Sequence, residues 1–257
     1  DYDRVAETCT HLVHCAGNVH MNLPLAEARR QTMAMTTGIL HLLETSRAAR
    51  KLEFVSTVGV AGHTGGEIPE QWLDQPRRFH NSYEAAKAEA ETLVRGKIAA
   101  GQPITVHRPS MVVGDARTGK TVAFQVFYYL CEFFSGGRSH GFLPAVDGMC
   151  LDIVPADYVA RALEWSSRKE ELPAPILHLC SGPFGALPLS RMIAEVRSTF
   201  MAHGRPLPAL KVLPLPLCKM ALRLIRPLIP PKDRRALDAM PYFFAYLKET
   251  QSFGNRH

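Results

Sequence analysis

The sequence predicts an α/β fold built on a parallel sheet, and two observations carry that expectation. Short apolar, β-branched runs alternate with longer stretches of helical composition, in the order strand, helix, strand, helix, strand between Leu12 and Arg108. Gly17, Thr57 and Pro109 fall where those strands end, which is where such sheets hold ligands. The 257 residues suffice for one sizeable domain, or for one and a small cap. Apolar content of 46% and charged content of 21% are ordinary for a globular chain, so a packed core is expected rather than disorder.

The elements follow in order. Leu12-Val13 with His14-Cys15-Ala16-Gly17-Asn18 reads as a short buried strand running into a glycine turn. Ala26 to about Ser46 is helical, with Met33, Ile39, Leu40, Leu42 and Leu43 available for an apolar face. Leu52 to Val60 is read as the next strand, and the hydroxyl pair Ser56-Thr57 stands where its apolar, β-branched run ends. Gly62 to Arg78 is read as a loop rich in glycine, proline and charge. Gly59, Gly62 and Gly65 match the letter of a dinucleotide loop, but Gly66, Ile68 and Pro69 follow instead of the helix N-terminus that would receive a pyrophosphate.

Asn81 or Ser82 caps a helix rich in alanine, glutamate and lysine that runs to about Ala100, where Gly101-Gln102-Pro103 ends it before the strand Ile104 to Arg108. Val122 to Phe134 is strongly apolar and aromatic, a pattern that suits a core helix or the wall of an acyl channel. Asp157 is expected to cap the next helix, and Pro175 to Cys180 to form a last buried strand. The composition changes from Phe184 onward. Cys218 to Leu228 is apolar with Lys219, Arg223 and Arg226 interspersed, followed by Pro230-Pro231-Lys232-Asp233-Arg234-Arg235. Such a segment packs as a substrate cap or lies on a membrane surface.

Tyr83 and Lys87, four apart on the helix, share one face. A fixed positive charge beside a phenol favours the phenolate and is expected to draw the tyrosine down from about 10 towards working pH. A tyrosine so tuned gives or takes a proton at a carbon-bound oxygen. A lone Tyr-x-x-x-Lys also describes a solvated helix with one tyrosine docked on the core, so the hydroxyls of Ser56 and Thr57 on a neighbouring strand are what sharpen the reading.

Together the strand ending in Ser56-Thr57, the Tyr83-x-x-x-Lys87 helix and Arg108-Pro109-Ser110-Met111-Val112-Val113-Gly114-Asp115 resemble the extended short-chain dehydrogenase/reductase family. The branch they resemble is that of thioester reductases and fatty acyl-CoA reductases, with the "male sterility" type of NAD-binding domain. The resemblance implies a doubly wound, Rossmann-like sheet over 1–183, with residues about 115–150 contributing to the substrate side, and a small, mostly helical cap over 184–257. It starts at what would be the family's fourth strand, so the glycine-loop strand and the strand that selects the dinucleotide are expected to precede Asp1.

The resemblance implies hydride transfer from NADP, or alternatively NAD, to an acyl thioester on CoA or a carrier protein, giving an aldehyde or alcohol. Tyr83 would protonate the oxygen, Lys87 would tune the phenol and hold the nicotinamide ribose, and Thr57 would hold the carbonyl oxygen with Ser56 beside it. Cys15, Ala16, Gly17, Pro109, Ser110 and Met111 would lie along the cofactor. Met35 stands where the family usually carries an asparagine, which argues against a proton relay through that position.

Other readings remain open on sequence alone. One is a dehydrogenase or epimerase acting on a sugar nucleotide or hydroxysteroid, and another is a non-catalytic dinucleotide-binding protein. Gly114-Asp115-Ala116-Arg117-Thr118-Gly119-Lys120-Thr121 also fits the P-loop pattern. The net charge of +6 suits an anionic cofactor, and the lack of a long basic run or aromatic-basic alternation argues against nucleic acid. Six scattered cysteines without a Cys-x-x-Cys read as reduced thiols of a cytoplasmic protein and give no zinc spacing. No apolar run reaches the roughly 18 residues of a membrane span, which leaves the 218–235 segment as the place for peripheral membrane contact.

Overall fold

The computed structural model describes residues 2–21, 23–170, 172, 174–228, 234 and 251–254. In chain order the elements begin with α1 (Tyr2–Thr8), β1 (His11–His14), α2 (Leu25–Thr45), β2 (Lys51–Val55), β3 (Gly66–Ile68), α3 (Ser82–Ala99), β4 (Ile104–Pro109) and β5 (Met111–Val113). They continue with α4 (Val126–Phe134), β6 (Phe142–Pro144), β7 (Cys150–Leu151), β8 (Ile153–Pro155), α5 (Ala156–Ser167) and β9 (Ile176–Leu179). The last are α6 (Gly182–Gly185), β10 (Leu187–Pro188), α7 (Leu189–Ala202), β11 (Lys211–Leu213), α8 (Leu215–Ile225) and β12 (Gln251–Phe253).

The chain forms two units, one of residues 1–119, 153–184 and 251–257, the other of 120–152 and 185–250. Residues 120–152 group with the second unit, and the chain returns to the first at 251. Apart from Arg234, the basic stretch 230–235 lies outside the described residues.

The first unit is organised on a four-stranded sheet in the order β1-β2-β4-β9, parallel throughout. Side chains alternate across a strand, so each strand feeds two different layers. Leu12, Leu52, Phe54, Ile104, Val106 and Ile176 pack with Leu40 and Leu43 of α2 and Ala90 and Val94 of α3. From the opposite face of β2, Lys51 Nζ donates to the carbonyls of Ser166 and Lys169, at 2.6 and 2.7 Å, where α5 ends. Helices therefore cover both faces, the doubly wound arrangement expected.

That second face hides polar groups whose burial no local pattern announces. Glu53 and His107 are both 0% exposed. Glu53 Oε2 lies 2.5 Å from His107 Nε2 and accepts from the Ser166 hydroxyl at 2.8 Å, while Lys51 Nζ approaches Oε1 at 3.4 Å. A buried carboxylate is tolerable only when paired and hydrogen-bonded in this way.

Two expectations are corrected around β2. The strand ends at Val55, not Val60, and Val58–Ala61 is a 3-10 turn capped by Thr57. Inside the stretch read as loop, β3 pairs in parallel with β12. Gly62 can occupy this turn because it has no Cβ: its φ is +56°, and a Cβ would sit 2.2 Å from the Arg78 carbonyl oxygen. Asp157 is likewise not a cap. It lies in the first turn of α5, and its carboxylate accepts from Ala116 N at 2.9 Å and pairs with Arg161 at 3.0 Å.

In the second unit, β6 pairs with β11 in parallel and β7 with β10 antiparallel. Leu130, Phe133 and Phe134 of α4 are buried, so this helix is core over those positions and starts four residues later than the apolar run suggests, at Val126. Arg197 of α7 fastens it by donating to the Ser135 and Pro208 carbonyls, at 2.5 and 2.9 Å.

Candidate active site

Strands β1 and β2 deliver their last residues to one place, and α3 crosses it. Asn81 starts α3 as expected, its side chain accepting from Glu84 N at 3.0 Å. That fixed start puts Tyr83 in the first turn, facing Thr57, and the two side chains share a hydrogen bond. The Thr57 hydroxyl oxygen also accepts from Gly59 N at 3.1 Å, which fixes its orientation.

One turn on, Lys87 is buried and donates from Nζ to the Val55 carbonyl at 2.9 Å. The same ammonium stands 5.3 Å from the centroid of the Phe54 ring. Gly17 approaches it from the turn after β1, since a Cβ built on Gly17 would lie 3.8 Å from Nζ. The charge of Lys87 is felt by His14, and Cys15 is near enough to act on Lys87 in turn. Thr57, Tyr83, Lys87, Cys15 and Gly17 thus belong to one cluster, with Ala16 on the turn that joins the last two.

Pro109 and Ser110 fall at the carboxyl end of β4, Met111 at the start of β5, and Ser56 directly after β2. The backbone N–H of Ser110 donates to Leu179 O at 3.0 Å, and that of Ser56 to His107 O at 2.7 Å. The hydroxyls of Ser56 and Ser110 are buried with no hydrogen-bond partner. Orphaned buried hydroxyls at two adjacent strand ends are what a site for a polar ligand would leave.

The electrostatics correct one expectation. Burial pushes the Tyr83 phenol up, to about 12, and the neighbouring Glu84 carboxylate adds to the shift while the bond from Thr57 pulls against it. Lys87 does not draw the phenol towards neutrality. Its ammonium donates one bond to Val55, and burial moves its own pKa down, with Glu91 and Cys15 opposing. Tyr83 is therefore held as a protonated phenol, the form that donates.

Sequence reasoning missed the pair that anchors this helix. Arg108, 1% exposed, clasps Glu91 through Nε–Oε1 at 3.0 Å and Nη2–Oε2 at 2.6 Å, and donates from Nη1 to the Gln71 carbonyl at 2.9 Å. Glu91 is one further turn beyond Tyr83 and Lys87, so spacing alone could have flagged it.

The P-loop match fails on its own amides. Asp115 Oδ1 accepts from the backbone N–H groups of Arg117 and Thr118 and from the Thr118 hydroxyl, at 3.1, 2.8 and 2.7 Å. A carboxylate fills the nest that a phosphate would need, and no helix begins between Gly119 and Val126. Among the described residues no group of three or more His, Cys, Asp or Glu side chains is placed to hold a metal ion.

A doubly wound parallel sheet whose strand ends gather a threonine, a tyrosine and a lysine one turn apart defines an extended short-chain dehydrogenase/reductase domain. Within that class the chain belongs to the male sterility protein family of NAD-binding domains, whose profile matches residues 1–163. It is similar to the isonitrile lipopeptide synthase of Streptomyces coeruleorubidus, 30% identical over 222 residues that make up 79% of this chain and 15% of that protein. It is also similar to the glycine betaine reductase of Emericella nidulans, 26% identical over 69% of this chain and 14% of that enzyme. The chain therefore spans about a seventh of the length of these curated relatives.

Among solved structures, the terminal R domain of the myxalamid biosynthetic pathway superposes with a TM-score of 0.71 at 26% identity, covering 94% of this chain and 57% of that one. A thiolation-reductase di-domain from an archaeal non-ribosomal peptide synthetase gives 0.74 at 14% identity, with 97% and 52% covered, a likeness of fold alone.

Proposed function

We propose that this chain is the catalytic part of an NADPH-dependent reductase of acyl thioesters, with the acyl group carried on CoA or on a carrier protein. The observation that carries the reading is the hydrogen bond between Thr57 and Tyr83, with Lys87 one turn on, at the ends of parallel strands. Membership of the NAD-binding family supports the cofactor class. The similarity to a terminal R domain and to a lipopeptide synthase supports a carrier-bound thioester.

The residues present fit a dinucleotide's nicotinamide end. Lys87 gives one proton to Val55 and has two more N–H groups for ribose hydroxyls, together with the Tyr83 phenol. Gly17 leaves that ammonium open from the β1 side, and Ser56 and Ser110 offer unpartnered hydroxyls. Cys15, Ala16, Pro109 and Met111 complete the cofactor's surroundings in this reading. When bound, the cofactor supplies the hydride.

The chain's own residues supply placement and the proton. Thr57 donates to the thioester carbonyl oxygen, and Tyr83, kept protonated by burial, delivers its proton to that oxygen as the carbon is reduced. The resulting hemithioacetal collapses to aldehyde and thiol, and with a second molecule of NADPH the same groups would serve the reduction of the aldehyde to the alcohol. Cys218 and Leu222 of α8 are buried within their own unit, as in a cap.

Tyr83→Phe in the full-length protein is the test. Oxidation of NADPH with an acyl-CoA or carrier thioester should fall at least 100-fold while NADPH binding stays measurable, about the size of a general acid's contribution. Unchanged turnover ends the assignment.

A further inference from the structure

We propose that Glu84 is a positioning residue for the catalytic pair, its buried carboxylate setting the turn that carries Thr57 against the helix that carries Tyr83. The proposal rests on the reductase reading and names a residue that reading does not use.

Glu84 is 2% exposed. On one side its Oε2 accepts from the His80 backbone N–H at 2.9 Å and lies 2.9 Å from His80 Nδ1. On the other it faces Gly59: a Cβ built there would fall 3.0 Å from Glu84 Cγ and 3.1 Å from Oε1, so the glutamate would have to give way by a few tenths of an ångström. Gly59 in turn donates to Thr57 Oγ1 at 3.1 Å, and Thr57 shares its hydrogen bond with Tyr83, the residue before Glu84. Close packing of Glu84 on Gly59, the two hydrogen bonds and the chain between Tyr83 and Glu84 thus link the four residues, so a shift at Glu84 or Gly59 bears on how the two hydroxyls meet.

A helix cap accounts for part of this. Glu84, at the third helical position, accepts from the backbone N–H just before the cap while Asn81 accepts from the N–H of Glu84, an arrangement akin to a capping box. Capping does not require the carboxylate to be buried, nor the residue facing it to be glycine.

The charge has a second effect. Glu84 is next to Tyr83 and raises its pKa, so it helps hold the phenol in the donating form. The titratable groups around Glu84 are His80 and Tyr83 on its own segment and His63 from the loop after the 3-10 turn, whose ring stands 4.0 Å from that of His80.

The experiment measures kcat, KM and their pH dependence for NADPH oxidation with an acyl thioester in the full-length protein. Glu84→Gln keeps the shape and removes the charge. NADPH binding and KM should stay within about twofold, and the alkaline limb of kcat should move to lower pH, as loss of a close like charge predicts. Gly59→Ala keeps the charge and crowds the seat, so kcat should fall roughly tenfold or more through misplacement, with the pH profile unmoved. Adding Glu84→Asp to Gly59→Ala shortens the acid and should restore most of the loss, a non-additive result.

A wild type that turns over, with Glu84→Gln keeping the wild-type pH profile and Gly59→Ala the wild-type kcat, overturns the positioning role alone. A wild type inert towards thioesters overturns the reductase reading instead. Should Glu84→Gln fail to fold, Gly59→Ala and its double variant decide the matter on kcat.

Discussion

The ammonium of Lys87 donates to the carbonyl of Val55 across 2.9 Å, tying the middle of α3 to the last residue of β2. This bond aims the remaining N–H groups at the space between the strand ends. Lys87→Met removes both the donor and the aim and leaves a strand-end carbonyl unpaired. Its kcat/KM should fall on the order of 100-fold or more, and its NADPH affinity should weaken with it. Lys87→Arg should not restore activity, because a planar fork cannot replace a compact ammonium in a buried seat. Isothermal titration with NADPH and steady-state rates measure both, and an active Lys87→Met enzyme contradicts the assignment.

His14 is stacked on Phe54 with ring centroids 5.4 Å apart, and burial, helped by the charge of Lys87, lowers its pKa to about 4. In the unfolded chain an imidazole titrates near 6.5. Between those values the unfolded state binds the extra proton and the folded state does not, so stability falls as pH drops from about 6.5 to about 4. Above that window the contribution is fully present. The loss amounts to as much as about 3 kcal/mol. His14→Phe keeps the ring and removes the proton site, so its urea midpoint should change less than that of the wild type between pH 7 and pH 5. Parallel pH dependence of the two proteins would show that His14 is not the group responsible.

What the sequence made legible is what obeys local rules. The cap at Asn81, the Tyr83-Lys87 spacing and the strand at 104–109 follow from side-chain chemistry within a few residues, and they appear close to where they were expected. The end of β2 was misjudged because Val58 and Val60 have strand propensity, while Thr57 caps a 3-10 turn through its hydroxyl. The pairing of β3 with β12 joins residues about 185 apart, and no local pattern announces such a partner. The sign of the Tyr83 shift was missed for a related reason: neighbouring charge can be read from spacing, but desolvation depends on the whole fold.

Glu91 and Arg108 make a bidentate pair that is nearly closed to water. Glu91→Leu leaves a guanidinium buried beside only a carbonyl, and unfolding free energy should drop by about 3–5 kcal/mol. Arg108→Leu with Glu91→Leu should recover a large part of that, since replacing both charges by packed apolar groups removes their desolvation cost. Urea denaturation of the single and double variants measures the coupling. Additive losses would mean that the two side chains act independently, against the geometry.

Cys15 is exposed, while Cys180 and Cys218 are buried and burial raises the Cys218 thiol to about 11. It follows His14 and lies close enough to Lys87 to interact with its charge. If residues 15–17 lie along the cofactor, a thiol reagent should inactivate the enzyme through Cys15, and NADPH should protect it. At a cofactor concentration ten times its Kd, inactivation should slow about elevenfold, the fraction of empty sites setting the rate. Cys150 is also exposed, so mass spectrometry of the labelled protein must place the reagent. Cys15→Ala should then escape inactivation. Labelling of Cys15 at the same rate with and without saturating NADPH would remove this turn from the cofactor's path, even if Tyr83 and Lys87 kept their roles.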